Sequence, residues 1–136
     1  MILSALAALL ALAQGPAAAA PAAIDVQVGG AGYRNAFDRA QRYEGEPASD
    51  AYRERQLYPA VLDDMKRLLV TCKGVGAEAD MKLTVVLSFD PDQEGPTLFL
   101  DRDSARGQCV AQALARLKYP APPHPDFAEE IQFDFH

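Results

Sequence analysis

The second half of the chain shows a regular order of hydrophobic periodicities. Apolar residues recur at spacings of three and four from Tyr58 to Cys72, which predicts one amphipathic helix that ends at Gly74. From Met81 to Phe89 the period changes to two, which predicts a half-buried strand of an antiparallel sheet. The apolar stripe of the helix consists of Tyr58, Val61, Leu62, Met65, Leu68, Leu69 and Cys72.

Three further elements are predicted towards the C-terminus. Asp90–Gly95 is typical of a turn and Thr97–Leu100 of a strand, so this segment predicts a hairpin with the strand before it. Gly107–Leu117 returns to helical spacing, and Tyr119–Pro123 ends that helix. Ile131–Phe135 alternates cleanly and predicts a final strand. The order helix, strand, strand, helix, strand predicts a two-layer α+β domain with both helices on one face of the sheet.

The residues before this region carry weaker signals. Ile24–Val28 alternates apolar and polar residues and predicts a short strand, and Tyr33–Tyr43 predicts a weak helix after a glycine-rich turn. We therefore interpret residues 24–57 as an N-terminal extension and residues 58–136 as the domain.

The N-terminal segment has the character of a targeting signal. Met1–Ala23 has no charged side chain, and Ile2–Ala13 is an apolar run too short to span about 30 Å of hydrocarbon. This predicts a secretory signal peptide over residues 1–23, and the alternative is an alanine-rich helix of the mature fold. Small residues at cleavage-site spacing occur at Ala11 and Ala13 and again at Ala17 and Ala19.

The predicted export bears on the state of the two cysteines, because exported proteins meet an oxidising environment. Cys72 and Cys109 form an even pair without a C-x-x-C motif, and each lies on the apolar face of a predicted helix. If the two helices lie side by side on one sheet, the sulfur atoms come within bonding range. We therefore predict a disulfide, and the alternative is a pair of buried free thiols.

Composition and charge exclude some partner classes. The chain has 136 residues, of which 49% are hydrophobic and 24% charged, as in one globular domain. Its formal net charge is −6 and its pI is near 4.8. Nucleic acids and anionic membrane surfaces are bound through basic faces, so we expect neither as a partner.

The sequence offers few residues that could form a catalytic or metal site. His124 lies between prolines and His136 is the last residue, and neither has a recognisable nucleophile as a partner in the sequence. We therefore predict no catalytic residues, no cofactor and no metal site. The alternative is a calcium loop, because carboxylates and a glycine recur at its spacing over Asp90, Asp92, Glu94, Gly95 and Asp101.

Four segments within the last 80 or so residues form a recognisable set: Tyr58-Pro59-Ala60, Leu83–Gly95, Leu117-Lys118-Tyr119-Pro120-Ala121-Pro122 and Phe133-Asp134-Phe135. Together these segments resemble the C-terminal domain of TonB-type proteins. The length of the first helix and the positions of Cys72 and Cys109 are most similar to the two-cysteine branch found in gliding-motility-type envelope proteins.

This resemblance implies a three-stranded antiparallel sheet and a last strand that pairs with an extended segment of a partner. We therefore expect a non-enzymatic periplasmic or secreted protein that binds a protein segment in the cell envelope. The alternative is a small secreted structural or inhibitor module with the same fold. The predicted partner-binding residues are Ile131, Gln132, Phe133, Asp134 and Phe135.

Overall fold

The computed structural model describes residues 25–76 and 81–136, so the predicted signal peptide of residues 1–23 lies outside the described residues. The described chain forms a mixed α+β structure. The strands are β1 (Val26–Val28), β2 (Lys82–Ser88), β3 (Thr97–Leu100) and β4 (Ala128–Asp134). The helices are α1 (Gly30–Tyr43), α2 (Pro47–Tyr52), α3 (Tyr58–Lys73) and α4 (Ala105–Ala115).

The sheet has four strands in the order β1-β3-β2-β4. β2 pairs antiparallel with both β3 and β4, whereas β1 pairs parallel with β3. The prediction of a three-stranded, purely antiparallel sheet is therefore wrong. The additional strand is held by hydrogen bonds from Leu98 N to Asp25 O (2.9 Å) and from Gly29 N to Leu100 O (2.8 Å).

Helices cover both faces of this sheet, which corrects the predicted two-layer arrangement. On one face, Leu83, Val85 and Leu87 of β2 pack into a single core with residues of α3 and α4. On the other face, α1 forms a second core, whose buried members are Ala36, Ala40, Val86, Phe99 and Ala128. The period-two pattern of β2 does not predict this second layer. The face of β2 that α1 covers carries Thr84 and Ser88 beside Val86, and such polar residues suggest a solvent-exposed face in the sequence.

Small residues let α1 lie close to the sheet. Gly32 approaches the ring of Phe99 so closely that an added Cβ would lie 2.9 Å from its Cε1 atom. Ala36 and Ala40 follow at four-residue spacing on the same side of α1. The segment predicted as a weak helix thus packs through small side chains, which give little hydrophobic signal in sequence.

The helices α2 and α3 are joined without a loop by one π-helical turn, Arg53–Leu57. Pro59 lies in the first turn of α3 and has no N–H to donate to the preceding turn. The chain widens there, so that Tyr58 N bonds Arg53 O instead. The helix predicted to begin at Tyr58 therefore continues an earlier helix, and this continuity orients Arg53.

A disulfide joins α3 to α4, as predicted. Cys72 and Cys109 are bonded, and their Cα atoms lie 5.8 Å apart, within the usual range for disulfides. Cys72 is fully buried at the last turn of α3, so the bond fixes the two helices against each other above the sheet. A structural disulfide is compatible with an extracytoplasmic protein.

Candidate functional site

Among the residues that the structure describes, the strand β4 lies at one edge of the sheet and pairs only with β2. Hydrogen bonds from Phe89 N to Phe127 O (2.9 Å) and from Phe135 N to Met81 O (2.9 Å) flank this pairing. Since bonded residues alternate along an antiparallel ladder, odd-numbered residues of β4 turn their backbone groups towards β2. The backbone N–H and C=O groups of Glu130, Gln132 and Asp134 therefore point away from the sheet.

The predicted binding residues fall on both faces of this edge strand. Phe133 and Phe135 are buried and Ile131 is half-buried, on the face that α3 and α4 cover. Gln132 and Asp134 are exposed on the opposite face. The strand begins at Ala128, three residues before the predicted start, and so contains two further acidic residues.

The first of these, Glu129, is the site residue that sequence reasoning missed. It is 4% exposed and lies in the face that packs against the core. Arg53 Nε lies 2.5 Å from Glu129 Oε2, and Tyr58 Oη donates to Glu129 Oε1 at 3.0 Å. Continuing the alternation of Ile131, Phe133 and Phe135 backwards would have placed residue 129 on the buried face.

Neighbouring groups hold this buried ion pair in place. The Nη1 group of Arg53 also donates to Tyr43 O at 3.1 Å and to Asp50 Oδ1 at 2.8 Å. Its guanidinium lies 5.5 Å from the centre of the Phe127 ring. The π-helical turn places Arg53 where it reaches α1, α2 and β4 at once.

The electrostatics of the pair follow from burial. Removal from water raises the pKa of the Glu129 carboxyl, and hydrogen bonding and attraction from Arg53 offset part of that rise. Burial, together with the charge of Glu129, raises the pKa of Tyr58 to about 12. At neutral pH Tyr58 therefore keeps its proton and acts as a hydrogen-bond donor.

A second polar cluster adjoins this ion pair and shares Tyr43 with it, just before β4 begins. His124 Nε2 is 3.0 Å from Glu46 Oε2, and the imidazole stacks on the Tyr43 ring at 5.0 Å. Tyr43 Oη donates to Asp126. The side chain of Glu46 also caps α2 and accepts from Ser49, so its pKa is lowered to about 2. His124 thus ties the loop that follows α4 to the start of α2.

The proposed calcium loop has no geometric support. Asp90 accepts a hydrogen bond from Asp92 N in a tight turn, whereas Asp101 lies beyond β3, a strand that alone spans about 13 Å. Asp101 instead accepts from Arg102 N. Within the part of the chain that the structure describes, no three His, Cys, Asp or Glu side chains are grouped so as to hold a metal ion.

Comparisons with protein-family models, with curated proteins and with solved structures find no match. The resemblance to TonB-type C-terminal domains therefore stays a prediction. No helix within residues 25–76 and 81–136 has the length and apolar character needed to cross a bilayer.

Proposed function

We propose that this protein is an exported, non-enzymatic cell-envelope protein that binds an extended segment of a partner protein by strand addition to β4. The observation that carries the proposal is the free edge of β4, whose outward N–H and C=O groups at Glu130, Gln132 and Asp134 match the needs of an added strand. The disulfide between Cys72 and Cys109 supports a periplasmic or secreted location.

Both faces of the sheet bear on this choice of surface. Because α1 packs on one face and α3 and α4 on the other, helices limit the area on which a partner could lie flat. Strand addition uses the edges instead, where β4 offers seven residues whereas β1 offers three. The longer edge provides more backbone hydrogen bonds to a partner.

A pair of proline variants tests strand addition. Gln132→Pro removes an outward N–H and should abolish partner capture from envelope extract, while the thermal midpoint stays within a few degrees. The control Val28→Pro removes an N–H from the opposite edge, where Val28 is 41% exposed, and should leave capture unchanged. Undiminished capture by Gln132→Pro would exclude β4 as the binding surface.

Amide hydrogen exchange provides an independent measurement of the same proposal. In the complex, the amides of Glu130, Gln132 and Asp134 should become protected, because only they gain a hydrogen-bond partner. The amides of Ile131 and Phe133 already donate to β2 and should change little. Equal protection of odd and even residues would indicate general stabilisation and not strand addition.

A further inference from the structure

A partly exposed apolar stripe runs along α3 beside the edge strand. Its members follow at spacings of four, three and four residues, next to the fully buried side of the helix, and two of them, Met65 and Leu69, are half-buried against the core. Leu62 is 49% exposed and Tyr58 is 41% exposed. We call this stripe the α3 shelf, and it consists of Tyr58, Leu62, Met65 and Leu69.

The two ends of the α3 shelf adjoin the two ends of β4. Tyr58 donates its hydroxyl to Glu129 at 3.0 Å, and Leu69 lines a small hollow together with Asp134 and Phe135. The eleven residue steps from Tyr58 to Leu69 rise by about 16 Å along the helix, and the five steps from Glu129 to Asp134 span about 17 Å along the strand. The shelf is therefore matched in length to the strand that it borders.

A segment added to β4 would present its side chains alternately to two different surfaces. One set would continue the face of Ile131 and meet the α3 shelf. The other set would continue the face of Glu130 and Asp134. Glu44 and Glu130 line a polar hollow that also contains Arg53 and extends to Tyr58 on the first side. At the far end of the strand, Lys82 lies 3.7 Å from Asp134.

These charges bear on whether the strand added to β4 comes from a partner protein or from a second copy of this chain. Antiparallel pairing of two β4 strands would bring Glu130 and Asp134 of both copies onto one face of a continuous sheet. Each chain also carries a net charge of −6, so like charges oppose that pairing. A strand with basic side chains on this face would instead complement the acidic ones.

We propose that the α3 shelf and the acidic face of β4 together select an extended partner segment in which apolar and basic residues alternate. This inference rests on the proposed strand addition and specifies its partner. The apolar residues cover Tyr58, Leu62, Met65 and Leu69, and the basic residues face Glu130 and Asp134. Burial of the shelf supplies affinity, and the charges set direction and specificity.

Labelled synthetic peptides of about eight residues, close to the length of β4, test this by fluorescence anisotropy. The probe alternates valine and lysine, one control alternates valine and glutamate, and another carries the same valines and lysines in two blocks. The alternating basic peptide should bind at least about tenfold more tightly than either control, and its affinity should fall as salt is raised. Equal binding of the three peptides, or no binding of any, would overturn the inference.

Two protein variants separate this inference from the proposed function. Leu62→Gln should weaken binding of the alternating basic peptide about tenfold, whereas Val28→Gln, on the opposite sheet edge, should not. One outcome is that Gln132→Pro abolishes binding, whereas Leu62→Gln and the charge pattern of the peptide have no effect. In that case strand addition is supported, and selection by the α3 shelf and the acidic face of β4 is wrong. If Gln132→Pro binds normally, strand addition itself is wrong. Circular dichroism verifies that each variant is folded.

Discussion

At the scale of single residues, the ion pair between Arg53 and Glu129 carries a cost of desolvation that depends on its surroundings. Their side chains are 12% and 5% exposed, so both charges are largely removed from water. Such a pair offsets its desolvation only when the remaining donors and acceptors are also satisfied. Tyr58, Asp50 and the Tyr43 carbonyl meet that condition here. The pair thereby ties the N-terminal helices to the strand proposed to bind the partner.

Removal of one member of this pair should therefore be costly. Arg53→Met should lower the free energy of unfolding at neutral pH by about 3–5 kcal/mol, because it leaves the Glu129 carboxylate buried without its partner. The loss should shrink at acidic pH, since a carboxyl with a raised pKa favours folding in its protonated form. Urea denaturation across pH measures both effects. The double variant Arg53→Met/Glu129→Leu should be more stable than Arg53→Met, and an equally unstable double variant would contradict this account.

For Glu46 we predict the opposite dependence of stability on acidic pH. Its pKa is lowered to about 2, first by the Ser49 hydroxyl and then by His124, from an ordinary value of 4.5. A carboxyl with a lowered pKa stabilises the fold above its unfolded value, and that contribution is lost as the pH falls from about 4.5 towards 2. Glu46→Gln should therefore lose less stability than wild type over this pH range, as measured by thermal midpoints. Parallel curves for the two proteins would show that Glu46 does not contribute.

At the scale of elements, hydrophobic periodicity predicts the helices and strands that bury a continuous apolar stripe. The spacing within α3 and the alternation in β2 identify both elements from sequence alone. Alternation over Ile24–Val28 predicts the strand β1, but three strand residues carry no information about which strand they join. The sequence does not predict the π-helical turn, because a proline such as Pro59 is also common in the first turn of a helix, which is where the periodicity places it. The buried Glu129 escaped because a charged residue is ordinarily assigned to the surface.

The disulfide is a covalent constraint between two helices. It closes a loop of 37 residues between α3 and α4, which chain entropy values at about 4 kcal/mol. Replacement of Cys72 and Cys109 by alanine should lower the free energy of unfolding by about 2–5 kcal/mol. Chemical denaturation measures that loss. Two alkylatable thiols in unreduced native protein would show by mass spectrometry that the bond is absent.

At the scale of the whole molecule, three layers of structure leave the sheet accessible at its edges. The α1 layer covers one face, the disulfide-linked pair α3 and α4 covers the other, and β4 forms the longer edge. Edge strands invite unwanted pairing, and acidic residues along β4 oppose pairing with copies of this chain. In the proposed strand addition, the same charges that oppose self-association would favour a partner segment with basic side chains.

The disulfide is compatible with an extracytoplasmic protein, because such bonds persist in oxidising compartments, and this gives the predicted export a consequence for the fold. The uncharged, apolar start of the chain predicts signal cleavage that leaves a mature protein beginning between about Gln14 and Ile24. All ionisable side chains lie beyond that region, so cleavage leaves the side-chain charge of −6 unchanged. Terminal sequencing of the native protein from envelope fractions measures the start. An intact Met1 in oxidised, folded protein would contradict cleavage and would assign this segment to the mature fold.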